Sequence, residues 1–234
     1  MAEGVNAEPG RIAILGGTGP EGSGLALRWA RAGLAVVIGS RDVARAEAAA
    51  EQTRSRIGGT AQVSGAENSA AVADADTVLL AVPFAAQMDT LKAVRGSLRA
   101  GQVLIDITVP LATAVGGRAT QLLGLWEGSA AEQVAGAVPD GVHVVAAFHN
   151  VSAVHLDDLE HPLDCDVLLC GQDRGAKARV ARLVEAIPGA RSVDAGPLSS
   201  ARIVEGLTAL LIGINIRYKV PGAGIRITGL PDAE

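Results

Sequence analysis

Aromatic side chains are nearly absent from the 234-residue sequence, at 2%. The core must then be built from small aliphatic residues, which suit parallel strands covered by helices on both faces. The aromatic platforms on which single-stranded nucleic acids stack are missing as well. Cations are in the minority, with a formal net charge of −5, so nothing resembles the footprint of a nucleic-acid binder. Only two cysteines occur, Cys165 and Cys170, both in one apolar run. Two such thiols fit buried, reduced side chains of a cytoplasmic protein and are too few for a zinc site. No stretch of about 20 apolar residues is seen, so no membrane partner is expected. The longest candidate, 204–216, contains Glu205. The first ten residues lack the apolar stretch of a signal peptide and read as a disordered tail.

Hydrophobic residues make up 49% of the chain and charged residues 19%, an ordinary globular balance. Apolar runs at 11–16, 35–40, 77–82, 103–108 and 143–148 read as strands, and 167–170 and 191–194 as two more. Helical patterns lie between them at 22–31, 43–53, 87–94, 129–137 and 175–186, with a last helix at 200–218. Ser129 with Glu132 three residues on is a capping-box pattern. The alternation predicts an α/β fold, a Rossmann-type doubly wound and mostly parallel sheet, with a small C-terminal lobe. The expected division is a nucleotide-binding domain over 11–150 and the lobe over 151–234.

Gly17-Thr18-Gly19-Pro20-Glu21-Gly22 follows the strand RIAIL and opens the helix SGLALRWA. That is the setting in which G-x-G-x-x-G binds a dinucleotide. Gly17 is expected to permit the tight turn, Gly19 to admit a pyrophosphate, and Gly22 to let helix and strand pack. The helix start then offers N–H groups and its dipole to the anion. NAD sites place an acid at the end of the second strand. Here that place reads Gly39-Ser40-Arg41-Asp42. Ser40 and Arg41 suit a 2′-phosphate, Arg45 lies one turn on, and Asp42 suits a helix cap. NADP(H) is therefore expected over NAD. For Arg41 and Arg45 the plain alternative is solvated surface charge.

The segments ILGGTGPEGSGLALRWARAG, VVIGSR, LLAVPF, DITVPL, AAFHNVSA and DAGPLSSARIVEGLTALLIGINIRYK, in this order, resemble the NADPH-dependent reductases of coenzyme F420, a deazaflavin. The resemblance implies hydride transfer between nicotinamide C4 and deazaflavin C5, reversibly, in a cleft between the Rossmann domain and the lobe. It implies NADP contacts from Thr18, Gly19, Pro20, Glu21, Ser40, Arg41 and Arg45. Val82 and Pro83 would lie against the cofactor, and Val109, Ala153, Ala223 and Gly224 would border the two rings. His149 and Asn150 would line the deazaflavin pocket and tune the equilibrium. It also suggests a homodimer, with the apolar last helix covered by a partner.

Both reactants carry their own chemistry, so no nucleophile and no metal is expected. The four histidines, His143, His149, His155 and His161, recur every six residues, which matches neither a helical face nor a zinc spacing. Arg217, Lys219 and Arg226 could form a cationic rim for an anionic coenzyme, or simply favour a helix C-terminus. The competing readings are an NADP-dependent reductase of a flavin, ferric chelate or imine, and a non-catalytic NADP-binding sensor. The absence of Lys between Lys92 and Lys177 weighs against imines.

Overall fold

A computed structural model describes residues 9–58 and 61–230. Most of the tail expected at 1–10 lies outside the described residues. Of its last two residues, Pro9 accepts a hydrogen bond on its carbonyl from Thr77 Oγ1 at 3.2 Å.

The strands are β1 (Ile12–Leu15), β2 (Val36–Ser40), β3 (Val63–Glu67), β4 (Thr77–Leu80), β5 (Val103–Asp106), β6 (His143–Ala146), β7 (Cys165–Gly171) and β8 (Ala190–Asp194). The helices are α1 (Pro20–Arg31), α2 (Val43–Ile57), α3 (Asn68–Ala73), α4 (Phe84–Val94), α5 (Ala130–Ala135), α6 (Ala153–Asp157), α7 (Arg174–Glu185) and α8 (Ala201–Tyr218). All eight strands form one sheet in the order β3-β2-β1-β4-β5-β6-β7-β8. Every pairing is parallel except β6 with β7. The first six strands have the dinucleotide-binding order, with the switch point between β1 and β4. The sheet continues past residue 150, so the C-terminal part is an extension of the same sheet.

Side chains alternate across each strand. Ile12 and Ile14 pack on one face with α1, α6 and α7, through Leu25, Trp29, Leu156 and Val180. Ala13 and Leu15 pack on the other with α3, α4, α5 and α8, through Ala71, Leu91, Val134 and Val204. Both faces are covered, which is why the strands are nearly continuous apolar runs.

β3, α3 and α6 were not anticipated. β3 reads VSGAE and sits at the sheet edge, where only Val63 is buried. Gly65 is required there, because an added Cβ would lie 2.3 Å from Glu47 N in α2. The capping pattern at α5 is formed, as Ser129 Oγ accepts from Glu132 N at 3.0 Å and donates to Glu132 Oε2 at 2.9 Å.

α8 departs from expectation in its length as an apolar element. Leu198–Tyr218, 21 residues with mean hydropathy 1.3, is long and apolar enough to cross a membrane by length and composition. Its inner face is instead committed to the core, where Ala201 and Val204 join the aliphatic cluster and Glu205 is 1% exposed. Its outer face is not buried within the chain: Ile203, Leu210 and Ile216 are exposed.

Candidate active site

The parallel register aligns the strand ends. Leu15 pairs with Leu80, Leu80 with Asp106, and Asp106 with Ala146. The residues that follow therefore leave the sheet at one level and form a common floor. Above it opens a cavity of about 610 Å3. Its walls come from Gly19–Glu21 after β1, Ala81–Ala85 after β4, Ile107–Val109 after β5, and Phe148 and His149 after β6. Leu111, Thr113 and Ala114 form one side, and Thr208 of α8 reaches in from the C-terminal extension.

The phosphate turn is built by steric necessity at three glycines, with one reassignment. Gly16, not Gly17, takes the left-handed conformation, with φ of 86°. A Cβ there would lie 2.3 Å from Ala81 O. Gly17 is needed because a Cβ would lie 2.9 Å from Ile38 Cγ2, and Gly22 because one would lie 2.6 Å from Gly16 O. Gly19 is the N-cap of α1 and has no side chain with which to cap it, and Pro20 opens the helix. The first-turn amides and the helix dipole are thus left for an anion.

At the end of β2, Asp42 caps α2, accepting from Arg45 N at 3.3 Å, and Ser40 Oγ accepts from Asp42 N at 3.1 Å. The one contrary acid is thereby turned to a structural role. Arg41 and Arg45 are exposed and enter no ion pair among the described residues. Arg45 shares a second cavity, about 510 Å3, with Gly17, Thr18 and Pro20. Thr18 and Arg45 are therefore brought together beside the turn.

Val82, Pro83, Val109 and His149 all line the main cleft. Ala153 does not line it; from outside the cleft its backbone works to lower the Glu21 carboxyl. Burial nonetheless raises the Glu21 carboxyl to about 7, and Oε2 has no partner. Asn150, Ala223 and Gly224 are placed elsewhere, in a separate cavity of about 520 Å3 with His155 and Cys165. Asn150 Nδ2 donates to Asp166 O at 2.7 Å, which pins it to β7.

The turn after β6 is strained, for Phe148 has φ of 64°. A bulky residue in that region needs tertiary support. The edge-to-face contact with Trp29, centroids 5.8 Å apart, supplies it. The turn places His149 at the cleft, 4% exposed, with both ring nitrogens unpartnered. Burial lowers its pKa to about 4, so the ring is neutral at physiological pH. Beside it stand Asp106 and Glu205, which motif reasoning did not find. One donor atom from each of the three lies within 4.8 Å of the others. They are the one such group among the described residues close enough to consider for a cation. Asp106 already accepts from Gln87 and Thr108, and Glu205 from the amides of Ala130 and Ala131, each at 3.1 Å. Those donors already take part of the acceptor capacity of both acids. Burial also raises both carboxyls, to about 7 and about 8, towards the protonated form.

The other histidines do not converge on this place. His155 Nε2 meets Gly222 O at 2.7 Å, and His161 meets Asp158 at 2.8 Å. Arg226 is tied to Asp164 and Asp166, while Arg217 occupies the last turn of α8.

A family model described as NADP oxidoreductase, coenzyme F420-dependent, matches residues 11–110. The F420-dependent NADP reductase of Methanothermobacter thermautotrophicus is 48% identical over 226 residues, covering 96% of this chain and 97% of that one. Its counterpart in Methanocaldococcus jannaschii is 44% identical, covering 94% and 99%. A solved structure of an Arthrobacter protein superposes with a TM-score of 0.79 at 26% identity, covering 93% and 98%.

Proposed function

The chain belongs to the coenzyme F420-dependent NADP oxidoreductase family, and from that premise we propose how its cleft performs the reaction. The protein is an oxidoreductase that moves a hydride between NADP(H) and coenzyme F420. Both are two-electron carriers and supply the redox chemistry when bound. The protein's part is to hold two flat rings together and keep water out.

The observation that carries the assignment of residues is the single cleft joining the phosphate turn to His149. The pyrophosphate sits on the amides after Gly19. Arg41, Ser40, Thr18 and Arg45 take the 2′-phosphate, the two arginines as forked donors. Glu21, Val82, Pro83 and Val109 wall the rings, with Ala153 beside Glu21. The cleft fits such ligands by its orphaned polar atoms, His149 Nδ1 and Nε2 and Glu21 Oε2. Ala223, Gly224 and Asn150 act from behind, supporting the turn after β6 from the separate cavity that holds His155 and Cys165. The C-terminal extension contributes Thr208, whose hydroxyl donates to His149 O at 2.5 Å and fixes the turn.

The protein acts in the cytoplasm as a homodimer. Support for the dimer comes from the outer face of α8, where Ile203, Leu210 and Ile216 are exposed. Beside Leu210, Gly206, Ala209 and Gly213 line a groove between α8 and the side chains of Thr120 and Leu122. Light scattering tests this: Leu210→Glu is expected to halve the mass in solution, and a monomeric wild type would refute it.

The reaction is tested by following the absorbance of oxidised coenzyme F420 on mixing with protein and NADPH, with NADH for comparison. Fast bleaching with NADPH and slow bleaching with NADH is the expected result. Equal rates would remove the 2′-phosphate assignment. No bleaching would remove the reaction.

A further inference from the structure

The hydride leaves nicotinamide C4 with its electron pair and forms a C–H bond at deazaflavin C5. The pair displaced into the acceptor ring takes up one proton, and NADP+ remains. Each turnover in this direction therefore consumes a proton, which has to reach a cleft walled mostly by apolar groups.

Asp106, the last residue of β5, and Glu205 on α8 are 0% and 1% exposed. One oxygen of each lies within 4.8 Å of the other and of a ring nitrogen of His149. Two carboxyl groups this close and this dry do not both ionise. Asp106 is held by Gln87 of α4 and by Thr108. Glu205 holds the start of α5, where Glu132 adds negative charge, and Cys170 of β7 is a nearby thiol that burial keeps protonated. The nearby ionisable groups on α5 and β7 therefore leave a proton on the pair or favour one there.

His149 bridges this pair and the cleft. Neither of its nitrogens has a partner, and an imidazole accepts a proton at one nitrogen while releasing one from the other.

We propose that Asp106 and Glu205 store the proton of the reaction and that His149 passes it to the acceptor ring. This rests on the hydride-transfer reading above. In the direction of coenzyme reduction a carboxyl O–H breaks and, with one water relaying the proton across the gap of up to 4.8 Å, an N–H forms on His149. The N–H on the other nitrogen breaks as its proton bonds to the acceptor. Solvent restores the carboxyl proton before the next turnover, and coenzyme oxidation runs the same path backwards. No protein group changes oxidation state. The raised carboxyls, about 7 and about 8, and the lowered imidazole agree with storage on the acids and transit through the ring.

The test is Glu205→Gln, which keeps an acceptor for the α5 amides and removes the titratable proton. In the protein without coenzymes, the infrared carboxylic-acid C=O band near neutral pH is expected in the wild type and is expected to weaken in the variant. In turnover, kcat for coenzyme reduction is expected to fall about a hundredfold, the low end for loss of a proton donor. KM for NADPH is expected to stay within about twofold, and the alkaline limb of the pH profile to move. Asp106→Asn, expected to act in the same way, decides the matter if Glu205→Gln does not fold. A wild type with no carboxylic-acid band overturns the proposal. So does a variant that binds NADPH normally and keeps the wild-type kcat and pH profile. A wild type that does not bleach the coenzyme sinks the reaction itself, a result distinct from normal wild-type turnover with an unaffected variant.

Discussion

Gly22→Ala probes how tightly the phosphate turn is built. The added methyl would lie 2.6 Å from Gly16 O and 2.9 Å from Gly17 Cα. Ordinary carbon contacts need about 3.5 Å, so the turn and α1 must part by roughly 0.9 Å. Both clashing atoms are backbone, so no side chain can rotate away. Overpacking of this kind costs about 1–3 kcal/mol, and the better helix propensity of Ala returns about 1 kcal/mol. A net loss of about 1 kcal/mol lowers Tm by roughly 2–4 °C for a chain of this length. The effect on binding is larger, because a displacement near 1 Å at a positioned group can cost about a hundredfold. NADPH titration followed by fluorescence is expected to show affinity at least about tenfold weaker. Gly96→Ala serves as control, since no atom lies within 4 Å of the added carbon. Wild-type affinity for NADPH in Gly22→Ala would refute the close-packing argument.

Arg41→Ala is expected to raise KM for NADPH about tenfold, one charge-assisted contact at an exposed site, and to leave KM for NADH unchanged. An equal change for both coenzymes would remove Arg41 from the 2′-phosphate. Asp106 and Glu205 titrate at about 7 and about 8 in the fold, above the value of roughly 4 in an unfolded chain. Their contribution to stability is complete below about pH 4 and is lost as pH rises through 7 and 8. Urea midpoints should therefore fall between about pH 4 and 8 in the wild type and much less in Glu205→Gln; identical slopes would contradict the raised values. Asp166 behaves in the opposite sense, held below the usual carboxylate range chiefly by Arg191, with Ile227 N and Arg226 adding to it. Its stabilisation is present at neutral pH and is lost as pH falls below the unfolded value. Asp166→Asn leaves two guanidinium groups without their shared anion and is expected to destabilise the fold by about 3 kcal/mol, read from denaturant unfolding. A loss below about 1 kcal/mol would show that the network is only surface charge.

What could be read from the sequence was what local pattern dictates. The buried strands announce themselves because both faces of the sheet are covered, as at β1 and β4. β3 stayed silent because an edge strand fitted against α2 needs a small residue at Gly65 more than it needs apolar ones. The antiparallel step between β6 and β7 was not legible either, since nothing in either strand encodes its direction. It depends on the chain turning back after residue 146, through the left-handed Phe148 and the short α6. α6 is held less by its own sequence than by Arg28 of α1, whose guanidinium donates to Leu156 O at 3.0 Å and His155 O at 2.6 Å.

The site divides along the same line. Its phosphate end uses backbone, and backbone demands leave marks at fixed spacing, which is why Gly19, Gly22 and the Ser40-Arg41 pair stood out. Even there the left-handed residue was misplaced by one, because a run of two glycines before Thr18 gives no local reason to prefer either. Only the nearness of Ala81 O selects Gly16. The proton-storing end uses side chains from three separate stretches, an acid ending β5, a histidine after β6 and an acid on α8. Each looked structural by itself. Glu205 drew notice only as the charge that interrupts an apolar helix, and that was the usable signal. A charge on the buried face of α8 has to be neutralised or given a function. The level strand ends put Asp106 under the cleft, and the α5 amides draw Glu205 to the same point. The burial that keeps water from the hydride is therefore also what keeps the two acids protonated.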